Sequence, residues 1–135
     1  MITLTVLLLA LLGLNMNMAF SSSLIQPDWA LALLLASLLA KRHNWFWVLP
    51  AILLHDVTFY WSLATVFMVV AMIPLAMIYL DQHLGAGLPQ RLVLLVLALL
   101  AMMADGWTLQ ACLLTLCLCI PVWHLLTRQY AQQAA

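Results

Sequence analysis

The feature that most constrains this chain is how rarely its apolar runs are interrupted. From Ile2 to Phe20 no charged side chain occurs. A helix over that stretch is roughly 28 Å long, enough to cross a bilayer. A second run, opened by Pro27-Asp28-Trp29, continues to Ala40 with only Ser37 polar, and stops at Lys41-Arg42. Of the 135 residues, 68% are apolar and 6% charged. A soluble domain carries about 25% charged residues, and a chain of this size has too little interior to hide so much apolar surface from water. Lipid is the solvent that suits it. Spans in lipid are helices or closed barrels. Continuous leucine-rich runs predict helices, where a barrel needs short alternating segments.

Six spans are expected within one transmembrane domain covering 1–135. The first is Ile2–Phe20, read as a retained helix and not a signal peptide, because its start is not basic and Asn17-Met18-Ala19-Phe20 is a poor cleavage site. Ser21, Ser22 and Ser23 predict a break. The second runs from Pro27, placed in the first helical turn, to Ala40. At about 21 Å it is short, so a start at Leu24 or a re-entrant path are the alternatives to a full crossing. The third is Asn44–Tyr60 and the fourth Trp61–Leu80, with Phe59-Tyr60-Trp61 at an interface. Gln82, Gly85, Gly87 and Pro89 mark the longest loop. The fifth is Leu88–Ala104, closed by an Asp105-Gly106 turn. The sixth is Trp107–Thr127, followed by a polar tail. Pro50, Pro74 and Pro121 lie inside spans and predict bends.

The few charges orient the bundle. With the N-terminus in the cytoplasm, Lys41, Arg42, Arg91 and Arg128 all fall on the inner side, which is the positive-inside pattern. Both termini are then cytoplasmic. Asp28 and Asp105 fall outside, Asp56 near the outer end of its span, and Asp81 inside.

Chemistry-bearing motifs are sparse. Net charge is zero, with no basic patch for nucleic acid. Cys112, Cys117 and Cys119 read as small apolar residues of one helix. His43, His55, His83 and His124 show no metal-ligand spacing, and no phosphate loop or paired-carboxylate set occurs. The expectation is a non-enzymatic protein with no cofactor and no metal. Asp56, beside His55, is the candidate for a polar contact within the bundle, with an interfacial carboxylate reaching water as the plain alternative. Neighbours on a helix point about 100° apart, so the pair need not meet, and a proton relay lacks a second buried acid at matched depth. Asn15 and Asn17 sit near the outer end of the first span. Helix ends explain them; a shallow outward pocket is the alternative.

Three stretches carry a family resemblance. P-D-W-A-L-A-L-L-L-A-S-L-L-A-K-R (Pro27–Arg42) resembles the start of the second span of MreD, the rod shape-determining membrane protein family. A-I-L-L-H-D-V (Ala51–Val57) is similar to that family's A-I-L-D-L pattern, with Asp56 in the place of its aspartate. C-I-P-V-W-H-L-L-T-R-Q (Cys119–Gln129) is similar to its last helix, through Pro121 and Trp123. The chain departs from the pattern at T-F-Y-W-S-L-A (Thr58–Ala64), where members carry a glycine turn. The resemblance implies an all-α, six-helix bundle like the substrate-binding subunits of vitamin transporters. It also implies a place in the bacterial inner membrane within the cell-elongation machinery. The implied partners are MreC, MreB filaments and a glycosyltransferase–transpeptidase pair that builds peptidoglycan. Pro27, Asp28, Trp29, Asp56, Pro121 and Trp123 become the interaction or structural candidates, and Lys41, Arg42, Arg91 and Arg128 the topology or lipid contacts. A small-molecule-binding or transport subunit with an outward pocket is the alternative.

Overall fold

The computed structural model describes residues 2–19, 27–60, 65–85 and 87–134. Among them are six α-helices and no strand: α1 (Ile2–Ala19), α2 (Trp29–Ala40), α3 (Trp45–Tyr60), α4 (Thr65–His83), α5 (Leu88–Ala104) and α6 (Leu109–Ala134), with one 3-10 turn at Arg42–Asn44. Ser21, Ser22, Ser23 and the part of the Thr58–Ala64 segment beyond residue 60 lie outside the described residues. Two helices, α1 and α6, are long and apolar enough to cross a membrane; α2, α4 and α5 contribute shorter apolar segments.

Helix α2 is the axis of the bundle. Nine of its 12 residues are buried, from Ala30 to Leu39 apart from Leu33. It packs most extensively on α6 and α1 and then on α3, while α4 packs on α5 and α3. Buried Ile52, Val70, Ile73, Leu94, Leu95 and Met102 carry the core into that second group. The outward faces stay apolar. Leu4, Leu8, Leu11, Met72, Leu75, Leu100 and Leu113 are all exposed.

Local chemistry accounts for the helix ends. Pro27 precedes α2 and is not in its first turn. Asp28 is the N-cap, and its carboxylate accepts from the Leu31 N–H at 3.2 Å. The proline at a helix start is Pro89, in the first turn of α5, where a missing N–H costs nothing. At the other end of α5, the Gly106 N–H donates to the Met103 carbonyl and the Trp107 N–H to the Met102 carbonyl. Gly106 has φ +105°, the left-handed conformation this double closure requires. Helix α6 is longer than the sequence predicts, because the segment from Arg128 to Ala134, expected as a tail, continues the helix. Tyr130 gives that extension a tertiary anchor. Its hydroxyl accepts from Asn44 at 2.9 Å, and its ring lies 5.3 Å from the Lys41 ammonium. Pro50, Pro74 and Pro121 lie inside α3, α4 and α6.

Candidate functional site

A helix start inside a bundle exposes N–H groups that have no partner within the helix. Water supplies partners at a surface; inside a protein, side chains must. The start of α2 solves this with two neighbouring helices and its own N-cap. The Asp28 N–H donates to Thr115 Oγ1 of α6 at 3.1 Å, and the Trp29 N–H donates to Asn17 Oδ1 of α1 at 3.1 Å. The Leu31 N–H is taken by Asp28 itself. Asn17 also donates through Nδ2 to the Pro27 carbonyl at 2.8 Å, so one amide grips both sides of the cap. Thr115 passes its own hydrogen to the Ala111 carbonyl at 2.8 Å.

The second Asp28 oxygen meets α3. His55 Nε2 lies 2.7 Å from Asp28 Oδ2, and His55 Nδ1 lies 2.8 Å from Asp56 Oδ1. Asp56 Oδ2 accepts from the Phe67 N–H of α4 at 3.0 Å. The exposures of Asp28, His55 and Asp56 are 0%, 2% and 0%, so this carboxylate–imidazole–carboxylate chain is sealed from outside. It joins the starts of α2 and α4 through one ring on α3. The second buried acid that His55–Asp56 lacks in sequence is therefore present. It is Asp28, delivered by packing from another helix. Asp56 is not an interfacial carboxylate reaching water, and the neighbours His55 and Asp56 do touch, because the ring is long enough to turn back onto the adjacent carboxylate.

Close packing aligns the pieces. An ideal Cβ built on Gly13 falls 2.5 Å from Trp29 Cβ, so α1 can lie this near the start of α2 only because residue 13 is glycine. Gly13 and Asn17, four residues apart, share that face. Asn15, on another face, is exposed.

The remaining candidates lie elsewhere. Trp123, with Leu39, Arg91 and Cys119, lines a small cavity toward the opposite end of α2, and Pro121 is exposed. Arg91 grips Asp81 with two hydrogen bonds, at 3.0 and 3.3 Å. Lys41 caps α2 through its N–H to the Ser37 carbonyl. Arg42 is half-buried and Arg128 exposed. The network therefore unites Pro27, Asp28, Trp29 and Asp56 and leaves Pro121, Trp123 and the basic residues outside it. His55, Asn17 and Thr115 are the members that sequence reasoning did not assign to a site. Their signal is a polar side chain in an apolar run.

Two larger grooves run along helix flanks. One lies between α1 and α6 over Leu33, and the other between α4 and α5 beside Met72 and Leu97. Among the described residues no three His, Cys, Asp or Glu side chains are grouped to hold a metal ion. Fold and site together define an all-α bundle pinned at one end by a buried polar network. No family model matches the chain, and neither a curated protein nor a solved structure matches it.

Proposed function

We propose that this chain is a six-span inner-membrane protein with both termini in the cytoplasm. Its role in this reading is that of a non-enzymatic scaffold of the bacterial cell-elongation machinery, as its resemblance to MreD implies. The observation that carries the reading is where the two resembling stretches meet. Asp28, at the head of the Pro27–Arg42 stretch, and Asp56, near the end of the Ala51–Val57 stretch, bind the same imidazole. Pro27, Asp28, Trp29 and Asp56, which carry the first two parts of the resemblance, thus lie in the network that ties the bundle together.

Placement in a membrane gives a reason for the network. Helix α2 has 12 residues and is about 18 Å long, shorter than a hydrocarbon core of roughly 30 Å. At least one of its ends then lies at a depth without water, and its N–H groups must find protein partners. Asn17, Thr115 and Asp28 provide them. Lys41 lies near Tyr130, and Arg91 lines a cavity with Leu39 and Trp123, so both cations are at the end of α2 opposite Asp28. This arrangement supports the positive-inside orientation.

As a scaffold, the bundle offers its apolar flanks and grooves to partner helices such as the single span of MreC. Packing and a few polar bonds hold such contacts in lipid. Asp56, being fully buried, acts by positioning α3 and α4 and does not touch a partner. The expected consequence is that Asp56→Leu inserts normally but recovers less of the elongation complex. Depletion of the protein in a rod-shaped host, with re-expression as control, tests the function. Rounding or swelling reversed by the wild-type copy supports it. Normal rods in a host without a second copy refute it.

A further inference from the structure

The helices form two sets. α1 and α6 flank α2, and α4 flanks α5 and α3; the sets meet along a seam where α3 packs on α2 and α5 on α6. Polar side chains cross the seam between the sets at both ends. At one end Asn44, in the 3-10 turn that joins α2 to α3, donates to the Ser37 carbonyl of α2 and to Tyr130 of α6. At the other, His55 of α3 reaches Asp28 at the head of α2.

The second crossing depends on hydrogens. A carboxylate only accepts, so each of the two His55 contacts needs one hydrogen. Two hydrogens must be shared among Asp28, His55 and Asp56. Either the ring is an imidazolium between two carboxylates, or it is neutral beside one acid and one carboxylate. Both arrangements leave a single net negative charge. That charge is matched locally. Asp28 Oδ1 faces the first turn of α2 and Asp56 Oδ2 the first turn of α4, and each helix start carries about half a positive charge. Losing one of the two hydrogens doubles the buried negative charge and sets two acceptors against each other at one contact. The contact to Asp56 joins neighbours on one helix. The contact to Asp28 crosses the seam.

We propose that Asp28, His55 and Asp56 form a proton-binding site. With two protons bound it clasps the α1–α2–α6 set to the α3–α4–α5 set, and release of one proton opens the seam at that end. Asp28 from the head of α2 and Asp56 from α3 are titratable groups in contact with His55. α1 brings Asn17 to this end, α4 the Phe67 N–H and α6 Thr115, none of which titrates. Asp105, in the α5–α6 turn, and Cys112, which donates to the Leu99 carbonyl, are the other titratable groups toward this end of α5 and α6. The site is independent of the elongation role and holds for a bundle with any partners.

The test is a distance across the seam as a function of pH. Leu109 of α6 and Met68 of α4 are both exposed and belong to opposite sets. Nitroxides are attached through Leu109→Cys and Met68→Cys in the full chain, with Cys112, Cys117 and Cys119 replaced by alanine, and the protein is placed in lipid nanodiscs. Pulsed electron resonance then follows the distance from about pH 5 to about pH 10. The expected result is a narrow distribution in acid that becomes longer and broader in alkali. Asp28→Asn should stay narrow throughout, because its amide donates to His55 Nε2 while its oxygen still accepts from Leu31. Asp56→Asn should do the same, since it donates to Nδ1 and leaves Nε2–H for Asp28. A wild-type distance that does not change with pH overturns the proposal, as does either neutralised variant titrating like wild type.

Discussion

Gly13→Ala tests whether a single missing methyl sets the geometry of the polar network. A Cβ at residue 13 falls 2.5 Å from Trp29 Cβ and 3.3 Å from both the Ala30 nitrogen and the Trp29 carbonyl carbon. None of these atoms can rotate away, because two are backbone and the third is bonded to it. Carbon atoms pack at about 3.5–4.0 Å, so α1 must retreat by at least about 1 Å at this point. One turn further on, Asn17 holds the Pro27 carbonyl at 2.8 Å and the Trp29 N–H at 3.1 Å. A retreat of that size takes both beyond hydrogen-bonding reach. Overpacking costs about 1–3 kcal/mol, and two bonds between membrane helices add about 0.6 kcal/mol each. The expected destabilisation is about 2–4 kcal/mol. Reversible unfolding in mixed micelles with rising SDS, followed by circular dichroism, measures it. The same argument fixes the outcome of a double-mutant cycle. Asn17→Ala alone should cost about 1 kcal/mol and almost nothing when added to Gly13→Ala, whose displacement has already broken its bonds. A Gly13→Ala protein within about 0.5 kcal/mol of wild type, or full additivity with Asn17→Ala, would refute the reasoning.

Three other outcomes are expected. His55→Leu leaves two buried carboxylates without their shared partner and should lose about 3–5 kcal/mol in the same assay, part of which returns when Asp28→Asn is added; a loss below about 1 kcal/mol contradicts this account. Tyr130→Phe removes the hydroxyl that accepts from Asn44 but keeps the ring beside Lys41, so a loss near 0.6 kcal/mol is expected, and a loss several times larger would mean the hydroxyl serves more than this bond. Reporters fused to either end should both be active only in the cytoplasm, and an active periplasmic reporter at one end excludes six spans.

Much of the secondary structure is legible in the sequence, because helix signals are local. Leu88–Ala104 is an α-helix with the ends the sequence predicts, since Gly87, Pro89 and Asp105-Gly106 punctuate it within a turn of its ends. The start of α2 is less legible. Pro27 and Asp28 both signal a helix start, and only the bond from Asp28 to the Leu31 N–H shows which one caps it. The end of α6 is illegible for another reason. Its polar residues give no apolar periodicity, and the support at Tyr130 comes from Asn44 and Lys41, far earlier in the chain.

By itself the sequence determined this protein's apolar composition and its helical character. Composition and short-range backbone preferences depend only on the residues concerned and their near neighbours. The tertiary structure alone decided that Asp28, His55 and Asp56 share two hydrogen bonds, with Asn17 and Thr115 completing the cap. Such pairing depends on the depth and rotation of one helix against another. Those are set by packing, as where Gly13 lets α1 lie against Trp29, and a displacement of about 1 Å is enough to undo a hydrogen bond.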